Sequence, residues 1–129
     1  MANLLDDIAT YLVTQGAITG VGIDTFIDNK PESPDNCVCI FEYSGLPTTA
    51  ISEAIERSVQ IIVRDTNYLN ARSKAWLLHY LLDPQDRFLQ ATTQRWMLSA
   101  ARQQPYKLGL DQSNRTEFVF NLSVTTYRD

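Results

Sequence analysis

Thr116-Glu117-Phe118-Val119-Phe120-Asn121-Leu122-Ser123-Val124-Thr125-Thr126-Tyr127 is the stretch that decides the fold of this chain. Phe118, Phe120, Leu122 and Val124 leave an extended backbone on one side. Glu117, Asn121, Ser123 and Thr125 leave it on the other. That period of two belongs to a strand with one buried face. A segment Lys107-Leu108-Gly109-Leu110-Asp111-Gln112-Ser113-Asn114-Arg115 leads straight into it. With Pro105 and Gly109 as punctuation, Gln103 to Asn114 reads as a loop.

Working outward, a helix is predicted from Leu4 to Gln15. Leu5, Ile8, Ala9 and Leu12 follow helical spacing, Asn3 suits the N-cap, and Gly16 suits the C′ position. A short strand follows from Ile23 to Asp28, then a turn over Lys30 to Asn36, rich in proline and Asx residues. Cys37 to Tyr43 reads as a strand apolar on both faces, with Val38 and Ile40 on one side and Cys39, Phe41 and Tyr43 on the other. Ser44 to Glu56 breaks the pattern and reads as a long connection. Ser58 to Arg64 is a strand.

The second helix is marked by Tyr68, Ala71, Ala75, Leu78 and Leu82, with Leu69, Trp76 and Tyr80 widening its apolar surface. Asn67 can cap its start, and Asp83-Pro84 ends it. Two strands are predicted next, Arg87 to Ala91 and Gln94 to Ala101. The second alternates Trp96, Leu98 and Ala100 against Arg95, Met97 and Ser99. Strands come in runs rather than alternating with helices. The expected fold is therefore a single α+β domain over residues 1–129, with a mixed, mostly antiparallel sheet and two main helices on one face. The final strand's second face is expected to be polar.

Composition narrows the function. The 129 residues are 44% hydrophobic and 20% charged, ordinary values for a globular domain. No apolar run reaches the ~18 residues of a membrane span. The start, Met1-Ala2-Asn3-Leu4-Leu5-Asp6-Asp7, lacks the basic n-region of a signal peptide, so the chain is expected to stay in the cytoplasm where it is made. Residues 1–56 hold nine acids and one base, Lys30, whereas residues 57–129 hold six acids and ten bases. Such a split either neutralises within one fold or gives each subunit an acidic and a basic face that attract head to tail. An acidic chain without a Lys/Arg cluster argues against tight nucleic-acid binding.

Catalytic chemistry finds little support. His79, the single histidine, lies on an apolar helix near its polar flank and reads as boundary packing or a solvent-exposed residue. Asp24 and Asp28 would share a strand face, but short surface strands carry such acids routinely. Cys37 and Cys39 share a face and read as buried thiols in a reducing compartment; two thiols are too few for zinc, and their spacing suits a disulfide poorly. No phosphate-binding glycine motif, HExxH or EF-hand pattern occurs. Trp76 and Trp96 read as core rather than as base-stacking platforms. No catalytic, cofactor or metal residue is assigned.

Several segments together resemble the phage minor capsid and tail-completion family, whose members are similar to tail terminators. They are Pro31 to Ile40, a loop containing Gly45, Glu56 to Arg64, a helix opening at Tyr68-Leu69-Asn70-Ala71, and Leu108 to Phe118. The resemblance implies a ring, six-fold, that caps the tail tube, stops its polymerisation and presents a surface to the head. It implies no enzymatic activity and no cofactor. The implied partners are further copies of the chain, the tail tube protein and a head-completion or connector protein, with no membrane and with DNA passing through the ring. The implied location is the virion tail or neck, after assembly in the host bacterial cytoplasm. For the subunit contacts the candidates are Phe41 and Tyr43 as apolar groups, Arg57, Arg64 and Arg72 as bases, and Asp24, Asp28 and Glu42 as acids. The competing reading is a small regulatory ligand-binding α+β domain; a small hydrolase ranks below both.

Overall fold

The computed structural model describes residues 4–43, 54–83, 89–92 and 95–127. In chain order these form α1 (Leu4–Thr14), β1 (Thr25–Ile27), β2 (Cys37–Tyr43), β3 (Ala54–Asp65), α2 (Tyr68–Leu82), β4 (Leu89–Thr92), β5 (Arg95–Ala101), β6 (Tyr106–Leu110) and β7 (Thr116–Tyr127). The strands make one sheet in the order β1-β2-β3-β7-β5-β4. Only β1 and β2 run parallel; the other neighbours are antiparallel. The fold is α+β.

β7 organises the sheet. Along one edge it pairs with β3 over its whole length, from Thr116 opposite Asp65 to Tyr127 opposite Ala54. Its other edge is shared: Leu122 to Thr126 pair with β5, and Thr116 to Val119 pair with β6. Phe118, Phe120, Leu122 and Val124 all enter the main core. They meet Val38 and Ile40 of β2, and Val59, Ile61 and Val63 of β3. Both helices cover this face, α1 through Leu4, Leu5, Ile8, Ala9 and Leu12, and α2 through Ala71, Ala75, Leu78 and Leu82. Each fully buried aliphatic or aromatic side chain contributes roughly 1.5–3 kcal/mol relative to exposure.

The helix ends follow from their sequences. Asn67 Oδ1 accepts from Leu69 N at 2.9 Å and Asn70 N at 3.2 Å, which satisfies two of the first-turn amides. At the end of α1, Gly16 adopts φ +74°. Gly16 N donates to Val13 O and Ala17 N to Leu12 O, the paired pattern of a Schellman cap.

Four expectations are corrected. Gln103 to Asn114 is not all loop, because Tyr106–Leu110 pairs with β7 as β6, with an irregularity between Lys107 and Gly109. Gly109, at φ +140°, supplies the kink that made the segment read as loop. β3 begins at Ala54, so Ala54 to Glu56 are strand; the rest of the expected long connection lies outside the described residues. Ile23 is exposed in a turn instead of opening β1, since Asp24 N and Thr25 N both point to Gly20 O. The alternation in β5 is reversed: Met97 and Ser99 are buried, whereas Trp96 and Leu98 are exposed. Register decides that point, because Met97 lies opposite Thr126 and Ser99 opposite Val124, on the helix side.

The second face of β7 also departs from the polar expectation at its start. Val119 is fully buried with Cys37, Cys39 and Ile62, and Phe26 and Phe41 pack against them. His79 sits between rings, 5.4 Å from Trp76 and 5.5 Å from Phe120, which is boundary packing.

Candidate functional site

The helix-free face of the sheet has two halves. One is closed by the segment Lys30 to Asn36, which is drawn over it by buried arginines. Arg64 donates from Nε to Asp35 O at 3.2 Å and from Nη2 to Pro34 O at 2.7 Å. Arg115 donates to Glu32 O, to Asp35 Oδ1 at 3.2 Å and, through Nε, to Asp111 Oδ2 at 2.7 Å. Lys30 reaches over the same edge to Glu117, at 2.9 Å, an ion contact rather than a directed hydrogen bond. Buried charges need such partners.

The turn that carries Arg115 is built locally. Asp111 Oδ1 accepts from Ser113 N and Arg115 N, both at 2.9 Å, and Asn114 takes the left-handed conformation at φ +62°. Desolvation raises the Asp111 pKa, but these amides and the guanidinium outweigh it and hold the carboxyl below its ordinary value. Under the strap lie Cys37 and Cys39, free thiols with sulfurs 3.8 Å apart. The shared hydrogen bond stabilises the Cys37 thiolate and lowers that group to about 7, with burial opposing and Arg64 and Arg115 assisting. The same bond, with burial, pushes Cys39 up.

The other half of this face is open. Tyr43 and Tyr106 emerge here, and Tyr43 Oη donates to Asn121 Oδ1 at 2.7 Å. Partial desolvation, with Tyr106 nearby, raises the Tyr43 pKa. Leu98 stands opposite Thr125, and Trp96 is exposed two residues earlier on the same side of β5. Glu56, joined to Ser123 Oγ and 3.8 Å from Arg102, supplies the charge at this corner.

The sequence candidates are dispersed over the molecule. Phe41 and Tyr43 fall together on the helix-free face, Phe41 half-buried at the boundary between closed and open halves. Glu42 and Arg57 form an ion pair at 3.2 Å on the opposite face. Asp24 is engaged in its own turn, accepting from Thr19 N, Gly20 N and Thr25 Oγ1. Partial burial raises its pKa, but those donors outweigh it and leave the carboxyl below its ordinary value. Asp28 is exposed at the end of β1, at φ +57°. Arg64 is buried and serves the strap. Arg72 is exposed, its guanidinium 5.8 Å from the Trp76 ring centre.

A cleft of about 450 Å³ opens between α2 and the ends of β2 and β3, lined in part by Asp24, Asn36, Arg64, Asn70 and Lys74. Its two cations are occupied within the chain, Arg64 by the strap and Lys74 by Ala17 O at 2.5 Å. Sequence reading missed Trp96, Leu98 and Tyr106 as surface groups. The strand alternation was visible, but which side of β5 met the helices was not.

No curated protein matches this chain. A family model described as bacteriophage tail terminator protein matches residues 9–128, nearly the whole length, so the chain belongs to the bacteriophage tail terminator family, structural and non-enzymatic components of the phage tail in virion assembly.

Proposed function

We propose that this protein closes into a ring on the end of the tail tube, ends tube polymerisation there and provides the surface to which the head is joined. Capping of the tube follows from family membership. The ring, six-fold by the family resemblance, and the head-joining role are the further steps. The observation that carries them is the pair of apolar surfaces on opposite sides of one subunit. Tyr43, Trp96, Leu98 and Tyr106 are exposed on the helix-free face, and Leu69 and Tyr80 on the outside of α2. A monomer gains nothing from two such surfaces, and patches of this kind mark interaction sites. The partners are the tail tube protein and a head-completion or connector protein, and the place of action is the virion tail or neck after assembly in the host cytoplasm.

A regulatory ligand-binding domain would use the cleft beside α2. That reading is the weaker one, because both of its basic side chains already have partners within the chain.

Light scattering over a range of concentration and salt, with negative-stain imaging in the presence of isolated tail tubes, tests the proposal. Rings seated on tube ends, with tube length limited, are the expected result. A protein that stays monomeric and neither binds tube ends nor limits their length would overturn it.

A further inference from the structure

Helix α2 is apolar on two opposite sides. Ala71, Ala75, Leu78 and Leu82 face the core and are fully buried. Half a turn away, Leu69, Ser73, Trp76 and Tyr80 follow one another at helical spacing, with Leu69 66% and Tyr80 78% exposed and Leu77 flanking them at 43%. A second apolar stripe on a helix marks a second surface that gains from burial. The sheet has the matching deficit. One face is covered by the chain's own helices, whereas the open half of the other exposes Tyr43, Trp96, Leu98 and Tyr106.

We propose that the outer face of α2 in one copy seats on the open half of the sheet in the next copy. The inference rests on the ring reading above and names the surfaces that would build it. The occupant is a second copy because the two unpartnered surfaces are opposite sides of one subunit and complement each other as helix on sheet. Docking then gives every sheet helices on both faces, a stable layer arrangement. Because the two surfaces differ, the contact is heterologous and repeats from copy to copy, closing where the rotation permits.

The area is of the right order. The exposed portions of Leu69, Leu77, Tyr80, Tyr43, Trp96, Leu98 and Tyr106 amount to on the order of 800 Å², most of the roughly 1,200 Å² at the lower end of stable interfaces. Polar rim residues supply the remainder. On the helix side α2 exposes Arg72 and carries no carboxylate. On the sheet side Glu56 stands at the Leu98 corner, ion-paired with Arg102 at 3.8 Å. The apolar centre holds the contact.

The test uses the full chain in two folded variants, Leu69→Asp with Tyr80→Asp on the helix side, and Leu98→Asp on the sheet side. Should melting show that an aspartate variant is unfolded, Tyr80→Ser and Leu98→Ser replace them. Self-association of each, alone and on tail-tube ends, is expected to weaken by about a hundredfold or more. An equimolar mixture is expected to give one-to-one dimers and nothing larger, since it holds one intact pair of faces. Wild-type rings formed by either variant, or a mixture that stays monomeric, would overturn the assignment. Variants that keep the ring but lose the tube would overturn it too, by giving the surface to the tube protein. A monomeric wild type would remove the ring reading itself, which separates that failure from an error in the surfaces.

Discussion

Arg115 Nε donates to Asp111 Oδ2 at 2.7 Å, and the carboxylate's other oxygen accepts from the Arg115 amide at 2.9 Å. The turn therefore aims a buried guanidinium at the segment Lys30 to Asn36, and Arg115 holds the strap together with Arg64 and the Lys30–Glu117 ion pair. Arg115→Gln keeps the polarity but loses the charge and the reach. Its expected outcome is faster hydrogen exchange at residues 31–36 and a lower melting temperature, with Gln112→Ala, at an exposed position of the same turn, close to wild type. Equal exchange in the two variants would show that the strap does not depend on Arg115.

Acid should weaken the same turn. Asp111 and Asp24 both titrate below the ordinary carboxylate value. A group depressed in the folded state binds fewer protons there than in the unfolded chain. Its contribution is complete above the unfolded pKa, about 4, and is lost as the pH falls through the lower folded value. Melting temperature measured from pH 5 down to pH 2 should therefore fall more steeply for the wild type than for Asp111→Asn. The gap between them is expected to be widest at pH 5 and to narrow below pH 4.

The thiol pair should titrate unevenly. With Cys37 lowered to about 7 and Cys39 raised, one thiolate per chain is expected to appear near neutrality. Thiolate absorbance near 240 nm, followed from pH 5 to pH 9, reads this directly. In Cys39→Ser the hydroxyl is a different donor, so the midpoint should move. Absorbance that rises only above pH 8.5 in the native protein would mean that the Cys39 hydrogen bond, with Arg64 and Arg115, does not favour the Cys37 thiolate.

Core facing can be checked by charge insertion. Leu122 and Ile61 are fully buried on the helix side of the sheet. Leu122→Asp or Ile61→Asp is expected to cost several kcal/mol, or to force the new carboxyl to stay protonated. Val119→Asp should be costly as well, because Val119 is fully buried on the other face with Cys37, Cys39 and Ile62. Thr125→Asp, on the open half, should stay within about 1 kcal/mol of wild type. Urea unfolding midpoints distinguish the four variants, and a wild-type midpoint for Leu122→Asp would refute the facing given to β7.

The sequence by itself determined the elements whose signal is local. The alternation of Phe118, Phe120, Leu122 and Val124 specified β7 and its buried side. The spacing of Ala71, Ala75, Leu78 and Leu82 specified α2, and Asn67 and Gly16 marked helix ends through side-chain and backbone chemistry of their own. Only the tertiary structure decided what depends on pairing. β6 exists because a free stretch of β7 accepts it, although Pro105 and Gly109 make the segment read as a loop. The burial of Arg115 and Arg64 depends on a strap contributed from some eighty and some thirty residues earlier in the chain, beyond the reach of any periodicity. The exposure of Trp96 was settled by register, since a strand's alternation says which residues share a side and is silent about which side meets the helices.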